Sequence, residues 1–174
     1  MNYIVLTAGT VFIVLFSWFF SIRHKRYHGI SRFFSFESIL ILVLMNWRLW
    51  FSDPLAWNQI ISWVLLTICI YPAVAGFVLL KRKGKSVESL ENTTVLVKSG
   101  IYRYIRHPLY CSLLILGTGV MFKDPGIPQI IAAIINLIAI LFTAKIEEKE
   151  MTARFGDQYT EYIKQTKMFI PFIL

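Results

Sequence analysis

Long apolar runs constrain this chain more than any other feature. They cover Tyr3 to Ile22, about Phe36 to Phe51, about Leu55 to Leu80, Pro108 to Phe122, and Ile127 to Ala144. A helix of about 20 residues crosses the ~30 Å of bilayer hydrocarbon. With 56% apolar residues and a mean hydropathy of +0.60, the expected fold is an all-α, polytopic membrane helix bundle. It has five transmembrane helices and a cytoplasmic C-terminal amphipathic helix, in one membrane-embedded domain over residues 1–174. Residues 1–85 carry three spans; residues 86–174 carry a helical hairpin and most of the polar chemistry.

Charge orients the spans. A net charge of +8 could suit nucleic acid, but the lysines and arginines flank apolar runs, so the expected partner is the membrane and not nucleic acid. Arg23-His24-Lys25-Arg26-Tyr27-His28 follows the first span and Lys81-Arg82-Lys83-Gly84-Lys85 the third. Ser52-Asp53-Pro54, between the second and third, has no basic residue. Of the 18 basic residues only Arg48 and Lys123 fall on the outer half, which places the N-terminus outside and the C-terminus in the cytoplasm. The first run lacks a small-residue cleavage pattern and is expected to remain a span. Cys69 and Cys111 lie in or near spans and imply no disulfide framework.

Several polar residues near the spans have a functional and a plainer reading. His24 and His28 have the i, i+4 spacing of helical metal ligands. No Cys, Asp or Glu stands nearby to complete a site, so a solvated or lipid-phosphate-facing pair is expected and no metal. Glu37 and Arg48 lie in the second span, where ionisable groups are functional suspects. Snorkelling to the outer interface accounts for Arg48; Glu37 stays open. Pro72 and Gly76 predict a kink near Tyr71. Lys81 to Lys85 has no glycine-rich strand-to-helix context and reads as a stop-transfer flank, not a phosphate loop.

The chemistry concentrates in Ser99-Gly100-Ile101-Tyr102-Arg103-Tyr104-Ile105-Arg106-His107-Pro108-Leu109-Tyr110. Upstream, Thr93 to Val97 reads as extended and Ser99-Gly100 as a turn. Pro108 suits the first turn of a helix, with His107 at the cap. The N–H groups of Leu109, Tyr110 and Cys111, with Arg106 beside them, then form an anion-receiving end. At ~1.5 Å per residue, the run from Pro108 and the return from Ile127 bring Glu147 and Glu148 to the depth of His107. Gly156-Asp157 breaks the returning helix, and Phe155, Tyr159, Tyr162 and Ile163 recur at helical spacing in the tail. A ligand complementary to this set is zwitterionic with a flat ring, as S-adenosylmethionine is. An interfacial salt-bridge cluster anchoring the hairpin explains the same residues, and they do not choose between the two.

Arg106-His107-Pro108-Leu109-Tyr110, with Gly100 and Tyr102 upstream and Glu147-Glu148 ending the next span, resembles the isoprenylcysteine carboxyl methyltransferase and phospholipid methyltransferase family. The match runs from Leu96 through Phe155-Gly156, Tyr159 and Tyr162 to Pro171; the first three spans agree only in hydropathy. The resemblance implies S-adenosylmethionine bound on the cytoplasmic side by Leu96, Val97, Gly100, Tyr102, His107, Pro108, Tyr110 and Glu147. It also implies a lipophilic acceptor arriving between spans. The expected location is a multi-pass protein of a prokaryotic cytoplasmic membrane with the site on the cytoplasmic side. Catalytic roles fall to Arg106, positioning an anionic group, and Glu148. Two positions depart from the family pattern: Ser112 stands where Gly is frequent, and Thr143 where the eukaryotic prenylcysteine enzymes have a substrate-contacting arginine. Lys145 is the nearest cation there, which weighs against a prenylcysteine carboxylate.

A carboxylate acceptor is already ionised, whereas an amine lipid must lose a proton, which a glutamate could take. Adjacent on a helix, Glu147 and Glu148 point about 100° apart. Glu147 is therefore expected at the cofactor's cationic end and Glu148 at the acceptor or Arg106. Other classes predict different features. A haem or quinone subunit wants facing histidines inside spans, and all three histidines lie in polar flanks. A nicotinamide-dependent membrane reductase predicts nucleotide binding instead. For the topology, cysteines placed at Asp53 and Lys123 are expected to label from outside and one at Gly84 from inside; inverted access at any of them refutes the orientation.

Overall fold

The computed structural model describes residues 2–24, 26–84 and 94–171. Lys25, Lys85, residues 86–93, which include Thr93 of the stretch expected to be extended, and Phe172 lie outside the described residues, as does the side chain of His24. Seven α-helices occur among the described residues: α1 (Tyr3–Phe20), α2 (His28–Asn46), α3 (Trp57–Ile68), α4 (Ile70–Lys83), α5 (Pro108–Met121), α6 (Ile127–Phe155) and α7 (Asp157–Gln165). Leu96 to Lys98 carry no regular structure, and the β-pairing among the described residues is a single parallel bridge between Ile105 and Lys167. Tyr3–Phe20, His28–Leu49, Trp57–Lys83 and Ile127–Phe155 are long and apolar enough to cross a membrane. The fourth apolar run forms α5, a shorter helix of 14 residues, or about 21 Å. The polytopic, all-helical architecture expected from the sequence is present.

The third run breaks at Cys69, one turn before Pro72 and slightly ahead of the expected kink. Pro72 has no N–H to return to the Ile68 carbonyl, so the ladder fails there and restarts at Ile70.

The chain divides into two compact units. The first comprises Met1–Ile68 and Leu113–Thr143. Its apolar centre is Leu42, Val120 and Ala132, packed on by Val43, Trp50, Leu66 and Leu116. Polar pairs join its helices. Ser35 donates to Asn136 Oδ1 at 2.6 Å, Thr143 to Ser31 Oγ at 2.9 Å, and Asn46 Nδ2 to the Val120 carbonyl at 2.7 Å. Lipid offers helices no hydrophobic reason to associate, so such bonds and close backbone approach hold them.

Three expectations about polar residues of this unit are settled here. His28, expected to be solvated or to face lipid phosphate, is fully buried, and it does not share a helix with His24: residues 22–24 form a 3-10 turn and α2 begins at His28. The helix starts well before the apolar run because His28, Arg32, Ser35, Leu42 and Asn46 recur at helical spacing and turn inward. Hydrocarbon cannot satisfy such groups. Lys123, expected on the outer turn, is only 1% exposed. Its Nζ donates to Gln59 Oε1 at 3.0 Å and stands 3.5 Å from the Trp63 ring centre, an arrangement that accommodates a cation without a carboxylate. Arg48 is exposed in the 3-10 turn after α2, in keeping with snorkelling. Glu37 accepts from Thr10 Oγ1 at 2.7 Å.

The second unit comprises Cys69–Ser112 and Ala144–Leu174. It holds the Ser99–Tyr110 motif, the glutamates and the tail. Pro108 begins α5 as expected, and Gly76 of α4 lies against its ring. Gly156 separates α6 from α7, and α7 buries Tyr159 and Tyr162.

A Cβ added at Gly117 would meet Asn136 Nδ2 at 2.3 Å, and that nitrogen is bonded to the Leu113 carbonyl at 3.2 Å. Gly117→Ala is expected to destabilise the protein by about 1–3 kcal/mol, read as a lower midpoint of thermal unfolding in detergent. An unchanged midpoint would show that Asn136 yields freely. Because Lys123 is buried, exposed Asp124 is the better outer labelling position.

Candidate functional site

The site is built around one imidazole. His107, 7% exposed, immediately precedes α5. Its Nε2 lies 3.3 Å from Glu148 Oε1 and its Nδ1 3.7 Å from Glu147 Oε2. The hairpin therefore does bring the two glutamates to His107. Adjacent on α6, they reach two different atoms of one ring. Tyr110 stacks on that ring at 5.4 Å and 18°, and Phe169 of the tail lies 6.2 Å from it.

Arg106 faces inward too. Its Nε donates to Glu148 Oε1 at 2.6 Å, and its Nη1 to the carbonyls of Thr166 and Ile163 at the end of α7. A guanidinium suits this task, since its planar donors serve a carboxylate and carbonyls together. The backbone continues the join: Arg106 N–H donates to the Lys167 carbonyl at 2.8 Å, His107 N–H to that of Met168 at 3.1 Å, and Lys167 N–H to that of Tyr104 at 3.1 Å. The tail thus closes over the motif as a short parallel pairing. Of the N–H groups read as open at the helix start, that of Cys111 donates to the His107 carbonyl at 2.9 Å, the first bond of the helix.

Upstream, Gly100 opens one turn of 3-10 helix, Gly100–Arg103, with a φ of +60° that favours glycine. Tyr102 is buried; its hydroxyl donates to the Gly76 carbonyl at 3.4 Å, and its own carbonyl accepts from Tyr162 Oη. Burial, with the Glu147 charge and then Tyr162, pushes the Tyr102 phenol well above its ordinary range. Burial and the charges of Glu147 and Glu148 do the same to Tyr159, and burial to Tyr162. These tyrosines stay neutral and offer rings and hydroxyls, not phenolate bases.

The structure therefore gathers Arg106, His107, Tyr110, Glu147 and Glu148, with Tyr102 and Pro108 fixed behind them by Gly76. Val97 is buried and Leu96 half-buried, and Gly100 stands against Leu79. Among the described residues, no hydrogen bond or ring contact joins Leu96, Val97 or Gly100 to His107 or the glutamates. Thr166 and Phe169 belong to the site and escaped sequence reasoning. The apolar end from Met168 to Pro171 was the available signal for Phe169; backbone pairing leaves none. Beside Glu148 an open groove of about 600 Å³ is lined by Lys145, Lys149, Thr152, Ala153 and Ile163.

The spans and the site define a helical membrane protein with a carboxylate–imidazole–guanidinium cluster at an Arg-His-Pro helix start. The chain belongs to the phospholipid methyltransferase family, whose model matches residues 57–158. It is 30% identical over 161 residues to a methanethiol S-methyltransferase of Crocosphaera subtropica, covering 82% of this chain and 61% of that protein. It is 36% identical over 84 residues to protein-S-isoprenylcysteine O-methyltransferase A of Arabidopsis thaliana, covering 45% of this chain and 40% of that protein. The mouse protein-S-isoprenylcysteine O-methyltransferase is 32% identical over 88 residues, 47% and 29% of the two chains. The chain spans less than two thirds of the length of these relatives.

Arg106 and Glu148 are 8% and 15% exposed at the side chain. Removing one charge of a buried pair leaves the other uncompensated. Arg106→Met is therefore expected to destabilise this unit by about 3–5 kcal/mol and to open the Lys164–Lys167 stretch to trypsin. Undiminished protection there would show that Arg106 does not hold the tail.

Proposed function

We propose that this protein transfers a methyl group from S-adenosylmethionine to a lipophilic acceptor, on the cytoplasmic face of a prokaryotic cell membrane. The observation that carries the reading is Glu147. Among the described residues its only ion-pair partner is His107, at 3.7 Å, beyond hydrogen-bond reach, and its side chain is 22% exposed. A half-open carboxylate among aromatic rings fits a cationic ligand. The donor, when bound, supplies a methyl group on a positively charged sulfur that leaves as a neutral thioether.

The residues divide the work. Glu147 attracts the cationic centre, while Tyr102 and Tyr110 offer rings. Leu96, Val97, Gly100, His107 and Pro108 complete the cofactor contacts that the family pattern implies. Arg106, expected to position an anionic group, also holds Glu148 and the tail. Glu148 fixes His107 and faces the groove, whose lysines and apolar floor suit an amphiphilic acceptor. Orientation and exclusion of water supply most of the acceleration. The relatives act on methanethiol or on isoprenylcysteine, and the family takes its name from phospholipids, so a thiol, a carboxylate and an amine are the acceptor chemistries to compare.

Titration of the purified protein in detergent with S-adenosylhomocysteine and with NADPH tests the reading. Binding of the first and not the second is expected, and Glu147→Gln should weaken S-adenosylmethionine binding at least tenfold, about 1.4 kcal/mol. Binding of NADPH alone would replace the transferase with a reductase.

A further inference from the structure

The two carboxylates at His107 are not equivalent, and neither matches a neutral ring. A neutral imidazole has one N–H and one lone pair. Here Nε2 faces Glu148 and Nδ1 faces Glu147, so with either tautomer a lone pair points at a carboxylate. An ion pair on both sides, 3.3 Å at Nε2 and a longer 3.7 Å at Nδ1, forms only when both nitrogens carry hydrogen. Glu148 shares its Oε1 with Arg106 at 2.6 Å and is compensated with or without His107. Glu147 has no second cation among the described residues. A proton on Nδ1 is what would balance a charge that no other cation among the described residues balances.

We propose that His107 exchanges this proton for the positive charge of the methyl donor, and that the neutral imidazole so formed takes the proton of a protic acceptor, a thiol or an amine. The proposal rests on the methyl-transfer reading above and specifies the acceptor chemistry of that site. A cation beside Glu147 removes the reason for a hydrogen on Nδ1, while Glu148 keeps the one on Nε2 and fixes the tautomer, as a carboxylate behind an imidazole does in other proton-transferring sites. His107 Nδ1 then accepts H⁺ from the acceptor. The freed electron pair forms the bond to the methyl carbon, and the bond from that carbon to the sulfonium sulfur breaks with its pair left on sulfur. Donor and product are then uncharged at the reacting atoms, and the imidazolium again balances Glu147.

The other groups around the ring leave this role to His107. Arg106 is bonded to Glu148 and the end of α7, and Tyr102, Tyr159 and Tyr162 are neutral phenols. Tyr110 lies flat against the ring. A carboxylate acceptor would need no proton removed and would leave the arrangement idle.

S-adenosylmethionine and S-adenosylhomocysteine differ at sulfur by a methyl group and one positive charge. Calorimetric titration of each into the full chain in detergent, at one near-neutral pH in two buffers of different ionisation enthalpy, counts the protons released. The charged ligand should release close to one proton more than the uncharged one. In His107→Gln, and independently in Glu147→Gln at raised ligand concentration, that difference should vanish. Equal proton counts for the two ligands in the wild type would overturn the proposal, and so would a difference that survives in His107→Gln. If neither ligand binds the wild type, the methyl-transfer reading itself falls, which separates the two failures.

Discussion

The ion pair between Arg106 and Glu148 is the contact on which the second unit depends. Each charge is largely withdrawn from water, and each is tolerable only because the other is present. Arg106 then spends its remaining donors on the carbonyls ending α7, groups that a helix terminus leaves without partners. Glu148 uses the same oxygen for His107. One pair thereby ties together the motif, the end of the long α6 and the tail, three pieces of sequence that would otherwise share only apolar contact. His107 owes its orientation to this arrangement. Tyr110 stacks on its ring, Phe169 lies tilted near it, and Glu148 holds Nε2, with Nδ1 turned to Glu147.

The first unit solves a different problem by related means. Its helices lie where hydrocarbon gives no hydrophobic drive for association. Ser35 with Asn136, Ser31 with Thr143, and Asn46 with the Val120 backbone supply bonds that lipid cannot. Gly117 lets α5 come close enough for Asn136 to reach across. Lys123 shows the same economy at the turn between α5 and α6, where indole faces and an amide take the place of water.

Much of this was legible in the sequence. Proline's missing N–H made the start of α5 plain, Gly156 marked the end of α6, and helix rise alone carried Glu147 and Glu148 back to His107. These inferences rest on local backbone chemistry or on distance along a helix. What could not be read depended on partners remote in sequence. Burial of His28 follows from the inward stripe of α2, and burial of Lys123 from two tryptophans some sixty to seventy residues earlier. Arg106 looked like a free cation because its acceptors in the tail are backbone carbonyls, which every residue has. The same blindness hid the pairing of Tyr104, Arg106 and His107 with Lys167 and Met168.

That pairing has a consequence for how the protein comes into being. The carbonyls that receive Arg106 and His107 lie about sixty residues further along the chain. While that stretch is still inside the ribosome, the guanidinium and the imidazole have been made but half their partners have not. Those contacts can form only once residues 166–168 have been made. A nascent or clipped chain ending before Thr166 would hold every residue of the Arg-His-Pro motif and both glutamates, yet lack the strap that sets them in place. Such a chain would carry the motif without the contacts that orient it.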